Sequence, residues 1–277
     1  MLDLYDKIEE AKAFIAGKWS GTPKAGIILG TGLGPFVEHI EIEAEIDYES
    51  IPHFPSSTAT SHRGRLICGK IDGVSVVAME GRIHLYEGHA AKIITLPVRV
   101  MRAMGAKWLI ASNAVGGMNP NYQAGDIMVI EDHINLMNDN PLIGVNDDRL
   151  GPRFPDMSEP YNLKMVDVAL AIARKTDFVA HKGVLVSVTG PNLETRAEYR
   201  FLRLIGADVV GMSVIPEVIT AVHCGLQVVG FSVVTDMCLP DALKPAVVDE
   251  IIATANAAEP KLRALVAGIV AHIGNSQ

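Results

Sequence analysis

The sequence predicts an α/β fold, a single domain over residues 1–277 with a central mixed, largely parallel sheet flanked by helices. Three observations predict it. From about residue 160 onward helical and strand-like segments alternate, the pattern of a helix-covered sheet. Short apolar runs end in glycine, as buried strands do when they feed tight loops. Of the 277 residues 49% are apolar and 25 are glycine, which supplies a sizeable core and the turns to connect it. The length permits one large domain or two small ones, but no repeat, low-complexity tract or linker divides the chain, so one domain is expected.

The elements follow in order. MLDLYDKIEEAKAFIAG places apolar residues at helical spacing among acids, so the chain begins with a helix. Ala25–Leu29 is a short apolar strand ending in Gly30, Gly32 and Gly34. Residues 65–72 and 74–80 flank Asp72-Gly73 and form a hairpin. A helical period covers about 89–104. Trp108–Ala114 and Asp126–Ile134 are strands, and the Asn-, Asp-, Gly- and Pro-rich stretch Asn138–Pro160 is a long loop of the kind that carries function. Helices then fall at 160–176, 194–205 and 216–225, and strands at 183–189, 207–212 and 227–235. The periodic, Ala-rich tail at 246–273 is a helix that closes the domain.

Composition excludes several classes of function. A formal charge of −8 lacks the clustered cations that bind nucleic acid, so no nucleic-acid partner is expected. Cys68, Cys224 and Cys238 are widely spaced, without a C-x-x-C pair, and read as reduced thiols. The nine histidines are scattered and show no H-E-x-x-H spacing, so no metal is expected. The N-terminus lacks the basic start and apolar run of a signal peptide, and no run approaches the roughly 18 apolar residues that span a membrane. A soluble, cytoplasmic protein without a membrane partner is expected.

Two segments offer chemistry. GTGLG at 30–34 follows a strand as a dinucleotide fingerprint does, but Pro35 stands where the third glycine is needed, and no Lys-Ser/Thr pair makes a P-loop. What remains is a glycine turn whose N–H groups, with the Thr31 hydroxyl, can meet a small anion, or an ordinary strand exit. In GRIHLYEG at 81–88 the residues Arg82, His84 and Tyr86 alternate, so an extended segment projects all three to one side. A guanidinium, an imidazole and a phenol suit a phosphate beside a sugar. Taken alone, an exposed edge with a salt bridge fits as well.

These segments do not stand alone. GTGLG at 30–34, SHRG at 61–64, GRIHLYEG at 81–88, SNAVGGMNP at 112–120, GDIMVIEDHIN at 125–135, GPNLET at 190–195 and GADVVGMSVIPEV at 206–218 occur in the order and spacing of one family. From roughly Gly26 to Thr235 the chain resembles the trimeric purine nucleoside phosphorylases, whose family also includes the methylthioadenosine phosphorylases. The resemblance implies phosphate-dependent cleavage of purine (deoxy)ribonucleosides to free base and (deoxy)ribose 1-phosphate. Phosphate is then a co-substrate, with no further cofactor. The phosphate set is implied to be Thr31, His62, Arg82, His84, the backbone N–H of Ala114 and the hydroxyl of Ser213. Tyr86 and Met212 would line the ribose, and Glu194 would accept hydrogen bonds from the purine edge. His84, Glu194 and Asp236 are the implied catalytic residues. Phe154, in GPRFPDM, matches an aromatic that covers a neighbouring subunit's ribose site, which implies a homotrimer.

The chain departs from the family's pattern mainly in the base and sugar pocket. Thr31 stands where most members have Ser, a change that keeps the hydroxyl. Asp236 replaces the Asn of 6-oxopurine enzymes. An ionised Asp only accepts hydrogen bonds, which suits a 6-amino group, whereas a protonated one can donate to O6 or N7. The resemblance therefore implies 6-oxopurine substrates, with acceptance of 6-aminopurines opened by Asp236. Leu193 replaces a phenylalanine that packs on the base, and Val248 falls near a His that reaches the ribose 5′-hydroxyl. Asp236 and Val248 together are features of methylthioadenosine phosphorylases, the alternative reading. A non-catalytic purine nucleoside-binding module is the alternative of another class.

Overall fold

The computed structural model describes residues 3–30, 34–55 and 63–275. Its strands are β1 (Ala25–Ile28), β2 (Glu41–Asp47), β3 (Arg65–Ile71), β4 (Val74–Glu80), β5 (Trp108–Gly117), β6 (Ile127–Leu136), β7 (Ala180–Val188), β8 (Val209–Gly211) and β9 (Gln227–Met237). Its helices are α1 (Leu4–Ala16), α2 (Ala91–Ile94), α3 (Leu96–Ala103), α4 (Leu163–Lys175), α5 (Arg196–Leu204), α6 (Ile215–His223) and α7 (Val248–Asn275). None of the described helices is long and apolar enough to cross a membrane.

The nine strands form one mixed sheet in the order β2-β3-β4-β1-β5-β8-β7-β6-β9. Five of its nine ladders are parallel (β1–β4, β1–β5, β5–β9, β6–β7, β7–β8) and four antiparallel, so parallel pairing leads by only one. The β3–β4 hairpin turns at Asp72 and Gly73, both at positive φ (47° and 78°), as a two-residue hairpin loop requires. The strand β5 pairs with β9 along its length and with β8 at Gly116 and Gly117, so β5, β8, β7, β6 and β9 close on themselves. Glycine at 116 permits that closure, since a Cβ there would lie 2.5 Å from the Cys238 sulfur.

Two apolar layers sandwich the sheet. On one side α4 and α7 cover Ile27, Ile110, Val229 and Phe231. The buried residues of α7, Ala258, Leu262, Leu265, Val266, Ile269 and Ile273, recur every three or four positions, which lays one stripe of the helix on the sheet. On the other side α1, α3 and α6 pack over Ile28, Leu109 and Val228. Coverage on both faces explains why β1 is a run of four buried residues with no alternation.

Sequence periodicity leaves residues 35–64 unassigned, and the structure places β2 there. Most of EIEAEID is exposed, with only Ile46 buried. As an edge strand carrying three glutamates it has little apolar signal of its own, and it is held by antiparallel pairing with β3.

Candidate active site

The loop after β4 carries the first group of polar residues. Arg82 is only 1% exposed although fully cationic, and it is held inside by other buried groups. Its Nε donates to Glu217 Oε1 at 2.9 Å, and its Nη1 donates to the Ser112 carbonyl on β5. Glu217 comes from the first turn of α6 and is itself buried. The His84 Nδ1 lies 3.1 Å from Glu87 Oε1, which also accepts the His84 backbone N–H at 2.7 Å. With Nδ1–H directed at Glu87, the Nε2 donates to an anion only when the ring carries its second proton. The segment is not extended throughout, because Leu85–Glu87 turns as a 3-10 helix. The His84 and Tyr86 rings nevertheless stack at 4.5 Å and 13°.

Ser213 enters from the link between β8 and α6. The next residue, Val214, has φ 71° and ψ −50°, and Ile215 N donates to Ser213 O at 2.9 Å. That is a γ-turn of the rare hand, costly for a β-branched residue by roughly 1–3 kcal/mol. The Ser187 hydroxyl also donates to Ser213 O, at 2.7 Å, and helps to hold the turn. Together these contacts fix the Ser213 backbone just ahead of α6.

Two carboxylates make the other group. Glu194 immediately precedes Thr195, which caps α5, and the capping acid of that helix is Glu198. Glu194 therefore lies outside the helix's first turn and faces the cavity. Burial raises its carboxyl above the ordinary glutamate value, opposed by a hydrogen bond from the Tyr199 hydroxyl and reinforced by Glu198 and Asp236. Asp236 stands near the end of β9, where Thr235 Oγ1 lies 2.9 Å from its Oδ1 and Cys238 Sγ 3.2 Å from its Oδ2.

Both groups line one cavity of about 170 Å³, which brings together Arg82, His84, Tyr86, Ala114, Leu193, Glu194, Met212, Ser213 and Asp236. Thr31 and His62 lie outside the described residues. Phe154 does not reach the cavity of its own chain. It is 87% exposed in a separate surface groove, with the Arg153 guanidinium over its ring. Val248 does not line the cavity either. It opens α7 at 65% exposure, and the α7 side chain that does line the cavity is Ile251, one turn further along.

Four cavity residues are not picked out by the sequence, although Asn113 stands in SNAVGGMNP. Asn113 is buried on β5 with Oδ1 accepting from Ser232 and its Nδ2 without a hydrogen-bond partner among the described residues. Thr235, Tyr199 and Cys238 surround the two acids. A larger cavity of about 850 Å³ lies between α1, α3 and residues 141–150. Its buried cation, Arg99, is engaged by His223 Nδ1 at 3.1 Å, and it holds none of the residues above. Chemistry therefore selects the smaller cavity. Among the described residues no three His, Cys, Asp or Glu side chains come together to hold a metal ion.

Residues 24–271 match the family model of the phosphorylase superfamily. Purine nucleoside phosphorylase 1 of Bacillus subtilis is 46% identical over 96% of this chain and 98% of its own. Among solved structures, Schistosoma mansoni purine nucleoside phosphorylase in complex with adenosine superposes with a TM-score of 0.91 at 38% identity, covering 96% of both chains. A Schistosoma purine nucleoside phosphorylase in complex with hypoxanthine gives 0.91 at 37%, covering 98% of both. This chain belongs to the purine nucleoside phosphorylases of the phosphorylase superfamily.

Proposed function

We propose that the 170 Å³ cavity is where inorganic phosphate cleaves the glycosidic bond of a purine nucleoside, releasing free base and ribose 1-phosphate. One observation carries the reading: donors suited to an oxyanion and two carboxylates suited to a purine edge share a single cavity. Arg82, His84, the Ala114 N–H and the Ser213 hydroxyl replace the hydration shell of phosphate, joined by Thr31 and His62. Asn113 Nδ2 is a further donor, because a buried amide without a partner is costly unless a ligand satisfies it. Tyr86 and Met212 pack on the sugar.

As the glycosidic bond breaks, positive charge develops on the ribose and negative charge on the purine. Phosphate held at Arg82 is both the nucleophile and the counter-charge for the sugar, so no covalent enzyme intermediate is required. The departing base is met by Glu194 and Asp236. An ionised Glu194 accepts from N1–H of a 6-oxopurine, and Asp236 as a carboxylic acid can donate to N7 or O6. Adenosine and hypoxanthine, bound by the two Schistosoma relatives, bracket the base chemistry inferred for this pocket.

The substrates are inferred to include 6-amino as well as 6-oxopurine nucleosides. On the sugar side, apolar Ile251 favours tolerance of an apolar 5′ group, so methylthioadenosine belongs in the same panel. The active form is inferred to be a trimer in which Phe154 of one chain covers the ribose of the next. Exposed Phe154 (87%), Val145 (97%) and Ile143 (66%) form the kind of apolar surface that assembly buries. Steady-state rates on inosine, guanosine, adenosine and methylthioadenosine, with and without phosphate, test the reading. Undetectable adenosine cleavage beside rapid inosine cleavage overturns the dual specificity.

A further inference from the structure

Asp236 is held at both carboxyl oxygens, by Thr235 Oγ1 at Oδ1 and by Cys238 Sγ at Oδ2. Both partners are buried and both line the cavity. Each can donate or accept. Thr235 Oγ1 also lies 3.2 Å from the Val115 carbonyl, so its single proton goes either to Asp236 or to that carbonyl. In the second arrangement the hydroxyl oxygen is open to accept a hydrogen bond from a protonated Oδ1. Burial pushes the Cys238 thiol up to about 12, so it keeps its proton, and its sulfur also meets the Tyr199 hydroxyl.

An amide at position 236 would have one donor end and one acceptor end. A carboxylic acid exchanges these roles when its proton leaves one oxygen and a proton joins the other through water in the open site, with no net change in protons. A 6-oxopurine offers an acceptor at C6 and a 6-aminopurine a donor, so the two bases need opposite arrangements. We propose that Thr235 and Cys238 are specificity-determining positioning residues, whose two-way hydrogen bonds let Asp236 reverse its donor and acceptor ends and serve both classes of purine. The proposal rests on the reading that Asp236 faces the base.

The test compares kcat/KM for adenosine and inosine in Thr235→Val, Thr235→Ser, Cys238→Ala, Cys238→Ser and Asp236→Asn. An oxygen stripped of its donor is the more basic one and takes the proton. Thr235→Val therefore pins the proton on Oδ1 and Cys238→Ala pins it on Oδ2. The adenosine-to-inosine ratio should move by up to about tenfold in each, in opposite directions, the effect of one hydrogen bond. Both Ser variants should return it toward the unmodified value. Because both substrates are read on one preparation, a loss of folded enzyme cancels. Equal losses on both substrates, or shifts in the same direction, overturn the proposal. If Asp236→Asn also leaves the ratio unchanged, the placement of Asp236 at the base fails with it. If Asp236→Asn shifts the ratio and the other variants do not, only the proposal fails.

Discussion

Glu217→Gln isolates what the buried carboxylate does for Arg82. The substitution keeps an acceptor for Arg82 Nε, now 2.9 Å away, but removes the negative charge from an almost fully buried pair. At an effective permittivity of about 20, unit charges about 4 Å apart interact by about 4 kcal/mol. Removing one partner of a buried pair usually destabilises by about 3–5 kcal/mol, and retention of the hydrogen bond places this variant near 3 kcal/mol. Glu217 Oε2 has no hydrogen-bond partner among the described residues, so the substitution breaks no second hydrogen bond there. Phosphate should offset part of the loss, because an anion bound at Arg82 supplies the missing charge and stabilises the variant more than the parent. Guanidinium chloride unfolding at one fixed protein concentration, with and without phosphate, measures both effects. The KM for phosphate should fall in the variant while overall stability drops. A loss below about 1 kcal/mol with unchanged phosphate KM would refute the reasoning.

Four further outcomes follow from the site. Glu194 is raised above 4.5 by burial and must be ionised to accept from N1–H, so inosine kcat/KM should decline with acid at a pH above 4.5. Tyr199→Phe removes a hydrogen bond that lowers the Glu194 value, and should move that acid limb to still higher pH; an unmoved limb counts against the role of Glu194. Phe154→Ala should raise the nucleoside KM by about tenfold, an aromatic contact's worth, while leaving the phosphate KM unchanged. A wild-type nucleoside KM in that variant removes Phe154 from the site. Gly190 has φ 66°, and an added Cβ would lie 2.3 Å from the Met212 sulfur, so Gly190→Ala must displace Met212. Nucleoside KM should rise more than phosphate KM, and equal changes in both would place Met212 away from the sugar.

Much of this architecture is visible in the sequence because each main element carries its own periodicity. The hairpin at 65–80, the alternation after 160 and the terminal helix all fall where apolar spacing places them. The strand β2 escapes because its signal resides in β3, its pairing partner, and closure of β5 against β8 escapes because it joins residues about ninety positions apart. In the cavity, Arg82, His84, Glu194 and Ser213 stand in recognisable phrases. Glu217 stands in the same phrase as Ser213 but draws no attention there, since an acid in the first turn of a helix has an ordinary explanation until Arg82 is found against it. Cys238 reads as an unremarkable reduced thiol until its sulfur, two residues beyond Asp236 at the end of β9, is found against that carboxylate. The strain at Val214 is equally silent, because a γ-turn at a valine contradicts local propensity and is imposed by the packing of α6.

The central claim is phosphorolysis at the Arg82–Asp236 cavity. Incubating the enzyme with inosine and measuring hypoxanthine and ribose 1-phosphate, with phosphate present and with phosphate removed, tests it most directly. Stoichiometric release of both products is expected only when phosphate is present, with loss of that release in Arg82→Ala. Release of hypoxanthine with free ribose in the absence of phosphate, at an undiminished rate, would contradict it.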